Sequence, residues 1–330
     1  MPDDDDDDDE WEVPEAFQPD PTEFAFDLES RLASVVALKS LVPPDATSAA
    51  ALGVEREGSG VVIDAGGLVL TIGYLITEAE SVWITNNEGR VVEATPFAMD
   101  FETGFGLVQM LGRIPGQKVA ELSDGESMRH GAQGVLAAAG GLSHALACTV
   151  AARQPFAGYW EYMLENAIFT APAHPHWGGA GLFDAGGRLA GIGSLILQQG
   201  QRGGKRLDLN MVVPITELLP ILETLRRTGH SGRPARPWLG LYATEDDEVV
   251  GVGSLAKDGP AERAGVKARD RIIAVDGRKV NDLASLWTAV RAAGPAGAEV
   301  RLTLARGTKQ LDLAITSSDR ARHLKAPRLH

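Results

Sequence analysis

The chain holds one cysteine, Cys148, in 330 residues, which excludes an intramolecular disulfide framework. Cys148 sits in an apolar stretch and reads as a small buried hydrophobe. Long apolar runs are missing as well. The longest uncharged stretch, Gly131 to Ala152, contains Gln133, Ser143, His144 and four glycines, which suits two strands and a turn better than a membrane span. The start, Met1-Pro2-Asp3, lacks a positive n-region and an apolar core. A cytoplasmic location is therefore the expectation, or a periplasmic one if the true start lies upstream. Residues 1–30 contain no Lys or Arg at all, yet carry 14 acids.

That last absence relocates the net charge of −14, because the remaining residues balance 31 acids against 31 bases. The run Asp3–Glu10 repels itself and buries no apolar area, so disorder is expected there. A solvating tail is the plain reading, with carboxylate metal capture or docking on a basic partner as alternatives. Trp11, Phe17, Phe24 and Phe26 follow, spaced as anchors for a surface of this chain or of a neighbour. The opposite end is basic, with Arg320, Arg322, Lys325 and Arg328; salt screens attraction between the tails beyond about 8 Å.

What is abundant is turn chemistry: 38 Gly and 18 Pro point to a β-rich fold. Short strands are predicted at Gly60–Ile63, Leu68–Thr71, Val82–Thr85, Arg90–Ala94 and Gly106–Met110, and further ones up to Leu209–Val213. Their spacing argues for antiparallel barrels rather than βαβ units. The period changes at Ile215–Arg227, where Leu218, Leu219, Ile221, Leu222 and Leu225 recur as on one helix face. The expected organisation is a tail with aromatic anchors at 1–29, a barrel domain at 30–228, a linker at 229–235, a compact unit at 236–318 and a basic tail at 319–330. Helical signals in the compact unit fall at Pro260–Ala264 and Asp282–Ala292.

The segment Gly58-Ser-Gly-Val-Val-Ile63, with its turn and Leu70-Thr71, resembles the opening of a protease domain of the HtrA/DegP family of serine proteases. The resemblance covers roughly residues 30–318 and implies a chymotrypsin-like double β-barrel followed by one PDZ domain. Laid on the family pattern, Tyr74 stands at the general-base His, Gly104 within Asp100–Val108 at the orienting Asp, and Gly178 within His174–Asp184 at the nucleophilic Ser. All three roles are thus replaced. A serine hydroxyl needs a base to take its proton, and that imidazole needs a carboxylate to hold its tautomer. Tyrosine, with a pKa near 10, is a poor base, and loss of triad members lowers the rate by on the order of 10⁶. Backbone N–H groups near Gly178 remain candidates for an oxyanion hole.

Other residues are candidate substitutes. Ser143 and His144 are sequence neighbours and would face opposite sides of a strand. His174 and His176 would share a face if extended, which permits a metal site, although no third ligand is apparent. Trp177 either fills the vacated cleft or lies on the surface.

The compact unit resembles a PDZ domain. Arg236-Pro-Trp-Leu-Gly-Leu241 looks like its carboxylate-binding loop, with the N–H groups of Leu239, Gly240 and Leu241 facing a peptide C-terminus. Asp258–Ala268 and Asp270–Val280 match the helix–turn–strand signature, with Arg269 in place of the usual Gly. Such domains add a peptide as an extra strand. The expected peptide-binding residues are Trp238, Leu239, Gly240, Leu241, Leu286 and Val290, the four aliphatic ones forming a pocket or a plain core.

The resemblance therefore implies an HtrA-like protease homologue without proteolytic activity, binding peptide C-termini or unfolded proteins as a scaffold, chaperone or regulator. The rivals are an active endopeptidase with a displaced nucleophile and a purely structural assembly protein. A homotrimer or a mixed oligomer with an active paralogue is implied too. No cofactor, metal, nucleic acid or membrane span is expected.

Overall fold

The structure, a computed structural model, describes residues 11–202, 205–246 and 249–325. The run Asp3–Glu10 and Arg328 lie outside the described residues. The chain opens with helix α1 (Leu28–Leu32), N-capped by the Asp27 side chain on Ser30 N–H. Strand β1 (Val35–Leu41) follows, then helix α2 (Ala49–Leu52) and strands β2 (Glu55–Val62), β3 (Leu68–Ile72), β4 (Ser81–Thr85), β5 (Val91–Met99) and β6 (Phe105–Met110). These strands close a barrel in the order β1-β2-β3-β6-β5-β4. The turn between β2 and β3 needs Gly67 at φ +85°, a left-handed conformation that glycine adopts without a Cβ penalty. In β4, Val82 and Ile84 are fully buried and alternate with half-buried neighbours, as a barrel wall requires.

A second barrel repeats the design. Its strands are β7 (Gln133–Ala137), β8 (Ala145–Gly158), β9 (Tyr162–Ala171), β10 (Gly181–Phe183), β11 (Leu189–Arg202) and β12 (Lys205–Pro214). They close in the order β10-β11-β12-β9-β8-β7. The uncharged stretch at 131–152 forms the antiparallel pair β7–β8, with Val135 opposite Ala147. Cys148 is 4% exposed, and burial pushes its thiol up to about 12.

The continuous helix expected over Ile215–Arg227 is broken in two. A 3₁₀ turn covers Ile215–Glu217, and helix α3 begins only at Leu222 and runs to Thr228. Pro220 lies between them; it lacks an N–H, and its ring clashes with the carbonyl four residues back. The leucines still reach the core, since Leu218, Ile221 and Leu225 are at most 2% exposed.

The C-terminal unit is a sheet of β13 (Leu241–Asp246), β14 (Val249–Leu255), β15 (Arg271–Val275), β16 (Arg278–Lys279), β17 (Glu299–Arg306) and β18 (Lys309–Thr316). Two helices accompany it, α4 (Pro260–Arg263) and α5 (Leu283–Ala292). A capping box between Asp282 and Ser285 starts α5, satisfying N–H groups that the first helical turn leaves open. The sheet order is β13-β14-β15-β17-β18, with β16 on β15. Arg269 adopts φ +71° and its N–H donates to Val252 O. The turn thus keeps the left-handed backbone that a glycine would take, at some conformational cost. The chain is mainly β, with a trypsin-like double barrel ahead of the smaller unit.

Candidate functional site

The positions singled out in the barrels meet in space. Gly73 N–H donates to Gly104 O at 2.7 Å and Ser59 N–H donates to Gly178 O at 2.8 Å. These bonds bring residues 73–74, 104 and 178 to the junction of the two barrels. Tyr74 Oη donates across that junction to Ser194 O at 3.0 Å. Burial pushes the Tyr74 phenol upward, against a smaller opposing effect from a Trp177 side-chain hydrogen bond, so the group stays protonated and is no base near neutral pH.

Neither glycine is an empty slot. A Cβ on Gly178 would stand 2.9 Å from Tyr74 Oη, and one on Gly104 would stand 3.0 Å from Tyr162 Oη. Gly104 also has φ +85°. Tyr162, from β9, donates its hydroxyl to Thr103 O at 2.6 Å, so an aromatic side chain occupies the space beside residue 104. Gly179 is the tightest position: its Cβ would lie 1.8 Å from Ser59 O, with φ +78°.

The loop before Gly178 is held by a buried histidine. His174 is fully buried; its Nδ1 accepts from His176 N–H at 3.0 Å and its Nε2 lies 3.1 Å from His144 O. An accepting Nδ1 places the proton on Nε2, so the ring is neutral. Burial lowers its pKa to about 4. Two consequences follow. Both ring nitrogens are engaged by backbone, so His174 is not a free metal ligand; no group of three metal-ligating side chains occurs among the described residues. The His176 N–H, two residues before Gly178, is also taken, here by His174.

Ser143 and His144 differ from their expectation. They lie in a 3₁₀ turn, Gly141–His144, not on a strand. The tighter winding puts their side chains on adjacent sides, and Ser143 Oγ and His144 Nδ1 are 3.0 Å apart. Trp11 packs nearby at a tilt, with its ring centroid 4.4 Å from that of His176 and 5.5 Å from that of His174. A cleft of about 800 Å³ opens here, lined among others by Trp11, Lys39, Tyr74, His144, His176 and Trp177. Trp177 thus lines the cleft rather than lying apart from it. Phe24 and Phe26 also pack on the core of their own chain, while Phe17 is exposed.

In the C-terminal unit, Leu239, Leu241, Leu286 and Val290 come together in one apolar cluster, each at most 2% exposed. Gly240 has φ +78°, and the Trp238 ring packs at a tilt against His323, centroids 4.5 Å apart. The loop's N–H groups do not face open space. Leu241 N–H donates to Glu161 Oε1 at 2.7 Å, and Leu239 N–H to Oε2 at 2.9 Å. Burial raises the Glu161 carboxyl to about 7, opposed by backbone hydrogen bonds from Leu239, Leu241 and Gly240 and by Arg320.

Comparison with known proteins agrees with this fold. Residues 58–192 match the trypsin-like peptidase domain model and residues 237–316 the PDZ domain model. The chain holds a trypsin-like peptidase domain followed by a PDZ domain, and it is similar to proteases of the HtrA/DegP type. A probable periplasmic serine endoprotease, DegP-like, of Halomonas elongata is 25% identical over 280 residues, which is 79% of this chain and 56% of the relative. The periplasmic pH-dependent serine endoprotease DegQ of Escherichia coli is 27% identical over 279 residues, 79% of this chain and 59% of the relative. The chain thus spans little more than half of these relatives' length. Serine endoprotease DegS of Escherichia coli is 26% identical over 292 residues, 80% of this chain and 77% of the relative. Among solved structures, the HtrA-type protease AlgW with a decapeptide shares the fold at TM-score 0.52 and 19% identity, covering 90% of this chain and 97% of that one.

Sequence reasoning missed Glu161, Tyr162 and Trp287, all of which tie the PDZ domain or the barrel junction to the β8–β9 hairpin. The available signal was local: Tyr159-Trp-Glu-Tyr162 places three aromatics around one acid, a composition that seldom faces water unpartnered. Among the described residues no helix is long and apolar enough to cross a membrane.

Proposed function

We propose that this chain is a proteolytically inactive member of the HtrA/DegP type that binds C-terminal or unfolded peptide segments through its PDZ domain. The observation that carries the first half is the barrel junction. On the family pattern Tyr74, Gly104 and Gly178 align with the base, the orienting acid and the nucleophile, and in support of this reading Tyr162 lies against the space a side chain at 104 would need. His176 N–H turns inward to His174, which removes one donor expected to stabilise an oxyanion. The second half rests on the loop at Leu239–Leu241, whose N–H groups already hold a carboxylate, the chemistry of C-terminal recognition.

The test is casein digestion together with labelling by a fluorophosphonate probe. No cleavage and no labelled serine is the expected result. Labelling that a single Ser→Ala substitution abolishes would sink the inactive reading. The Ser143–His144 contact at 3.0 Å makes Ser143→Ala the first substitution to examine, since a hydroxyl hydrogen-bonded to an imidazole is the minimum for an activated nucleophile. The relatives are named serine endoproteases, so this second reading has a concrete basis. A purely structural assembly role would appear in calorimetry as no heat with any C-terminal peptide. The relatives' periplasmic names favour the periplasmic alternative for this chain.

A further inference from the structure

The β8–β9 hairpin is longer than barrel closure requires. Its last pairs are Ala157 with Met163 and Gly158 with Tyr162, leaving Tyr159, Trp160 and Glu161 as a tip. That tip lies in the groove between β13 and α5. Ala243 N–H donates to Tyr159 O at 2.8 Å, while Leu241 N–H donates to the Glu161 carboxylate at 2.7 Å. One backbone bond thus fastens residue 159 to the edge strand at 243, and the Glu161 side chain fastens the tip to the loop at 239 and 241. From α5, Trp287 Nε1 donates to Gly158 O at 2.7 Å, and Arg291 donates to Met163 O at 2.9 Å. Three elements of PDZ ligation are present: a main-chain bond to the edge strand, a flanking helix and a carboxylate in the loop. Here one chain supplies both sides, with a side-chain carboxylate where a peptide would bring its terminal one. A true C-terminus ends at the loop. Glu161 instead turns its backbone away at φ +62°, a left-handed conformation uncommon for a residue with a Cβ.

We propose that Glu161 is an internal ligand of the PDZ carboxylate-binding loop, and that peptides bearing a free C-terminal carboxylate enter the groove only by displacing segment 158–161. The competitor rests on the peptide-binding reading above; the internal contact does not. Tethering gives the hairpin tip a high effective concentration, so a peptide's observed affinity is reduced by the fraction of molecules in which the groove is open. The next residue, Tyr162, stands against Gly104, so displacement of the tip also pulls on the barrel junction.

The test uses the full chain with Glu161→Gly, which removes the carboxylate and suits the positive φ, and Glu161→Gln as the shape-preserving control. Two readouts are taken: hydrogen exchange at the Leu239 and Leu241 amides, and anisotropy of a fluorescein-labelled hexapeptide ending in a valine carboxylate. In the unsubstituted chain both amides are protected without peptide. In Glu161→Gly they lose protection and the peptide binds about tenfold tighter or more, while its C-terminal amide does not. Unchanged protection in Glu161→Gly overturns the internal ligand. Lost protection with an unchanged peptide Kd overturns the displacement. Lost protection with no peptide binding at all supports Glu161 as the loop's ligand and overturns the peptide-binding reading instead.

Discussion

Tyr162 Oη stands 3.0 Å from where Gly104 would carry a Cβ, so a side chain of the second barrel closes the space beside residue 104 of the first. A carboxylate at 104 would have to expel the phenol and accept φ +85°. Gly104→Asp is expected to destabilise the chain by about 1–3 kcal/mol, read from urea midpoints. Adding Tyr74→His and Gly178→Ser is expected to leave casein uncut. Turnover in that triple variant would show that the junction is open to an orienting acid after all.

Gly179 allows the closest backbone approach at the junction. A Cβ at 1.8 Å from Ser59 O with φ +78° cannot be absorbed by a side-chain movement, because the opposing atom is main chain. Gly179→Ala is expected to lower stability by about 3 kcal/mol or more, combining backbone strain with overpacking. Gly131→Ala, also left-handed but with open space around it, serves as the control with strain alone. Equal melting temperatures for the two variants would contradict the account.

His174 gives stability a pH dependence. Its folded pKa of about 4 lies below the unfolded value near 6.5, so the unfolded chain binds more protons between those limits. This contribution is complete above about pH 6.5 and is lost as pH falls toward 4, by about 2 kcal/mol at pH 5. Glu161 acts in the opposite sense over about pH 4.5–7, because its folded pKa is raised. Denaturant unfolding of Glu161→Gln isolates the histidine. In that background stability is expected to fall between pH 7.5 and 5, and His174→Gln should flatten the slope.

The same Glu161 shift sets a pH dependence on peptide entry. Docking against the PDZ loop raises its pKa to about 7, so the docked tip holds its proton more tightly than the free one. Docking is therefore strongest below about pH 4.5 and weakens as pH rises through 7. The buried Arg320 guanidinium faces the same carboxylate and offsets part of this rise in pKa. The hexapeptide is expected to bind about tenfold tighter at pH 7.5 than at pH 5.5, measured by anisotropy. Glu161→Gly should show no such change. A flat profile in the unsubstituted chain would contradict the buried carboxylate.

Trp287→Phe keeps a ring in the PDZ core but deletes the donor to Gly158 O. Leaving that carbonyl without its indole partner is expected to cost about 1 kcal/mol in urea unfolding. It should also loosen the tip, seen as faster exchange at Ala243 N–H. No change in exchange would mean that α5 does not hold the hairpin.

Much of the fold was legible because its signals are local. Val82 and Ile84 alternate with half-buried neighbours, Asp64–Gly67 carries turn chemistry, and Asp282 caps α5; each acts within a few residues. That residues 73–74, 104 and 178 belong to short framework segments was legible for the same reason, and the structure brings those segments to the barrel junction. The failures have a common origin too. Ile215–Arg227 has the period of one helix, but Pro220 breaks it at the level of a single missing N–H. Ser143 and His144 were assigned strand geometry, whereas the positive φ of Gly140 and Gly141 leads into a 3₁₀ turn.

Sequence alone determined two barrels and a PDZ domain, because side-chain periodicity and residue chemistry are carried by neighbours along the chain. Tertiary structure decided what occupies the sites. Glu161 lies 78 residues from Leu239 and 80 from Leu241, and Tyr162 lies 59 from Thr103. No local pattern encodes such pairings. They depend on the length and twist of the β8–β9 hairpin, which carries one acid into the PDZ loop and one phenol to the barrel junction.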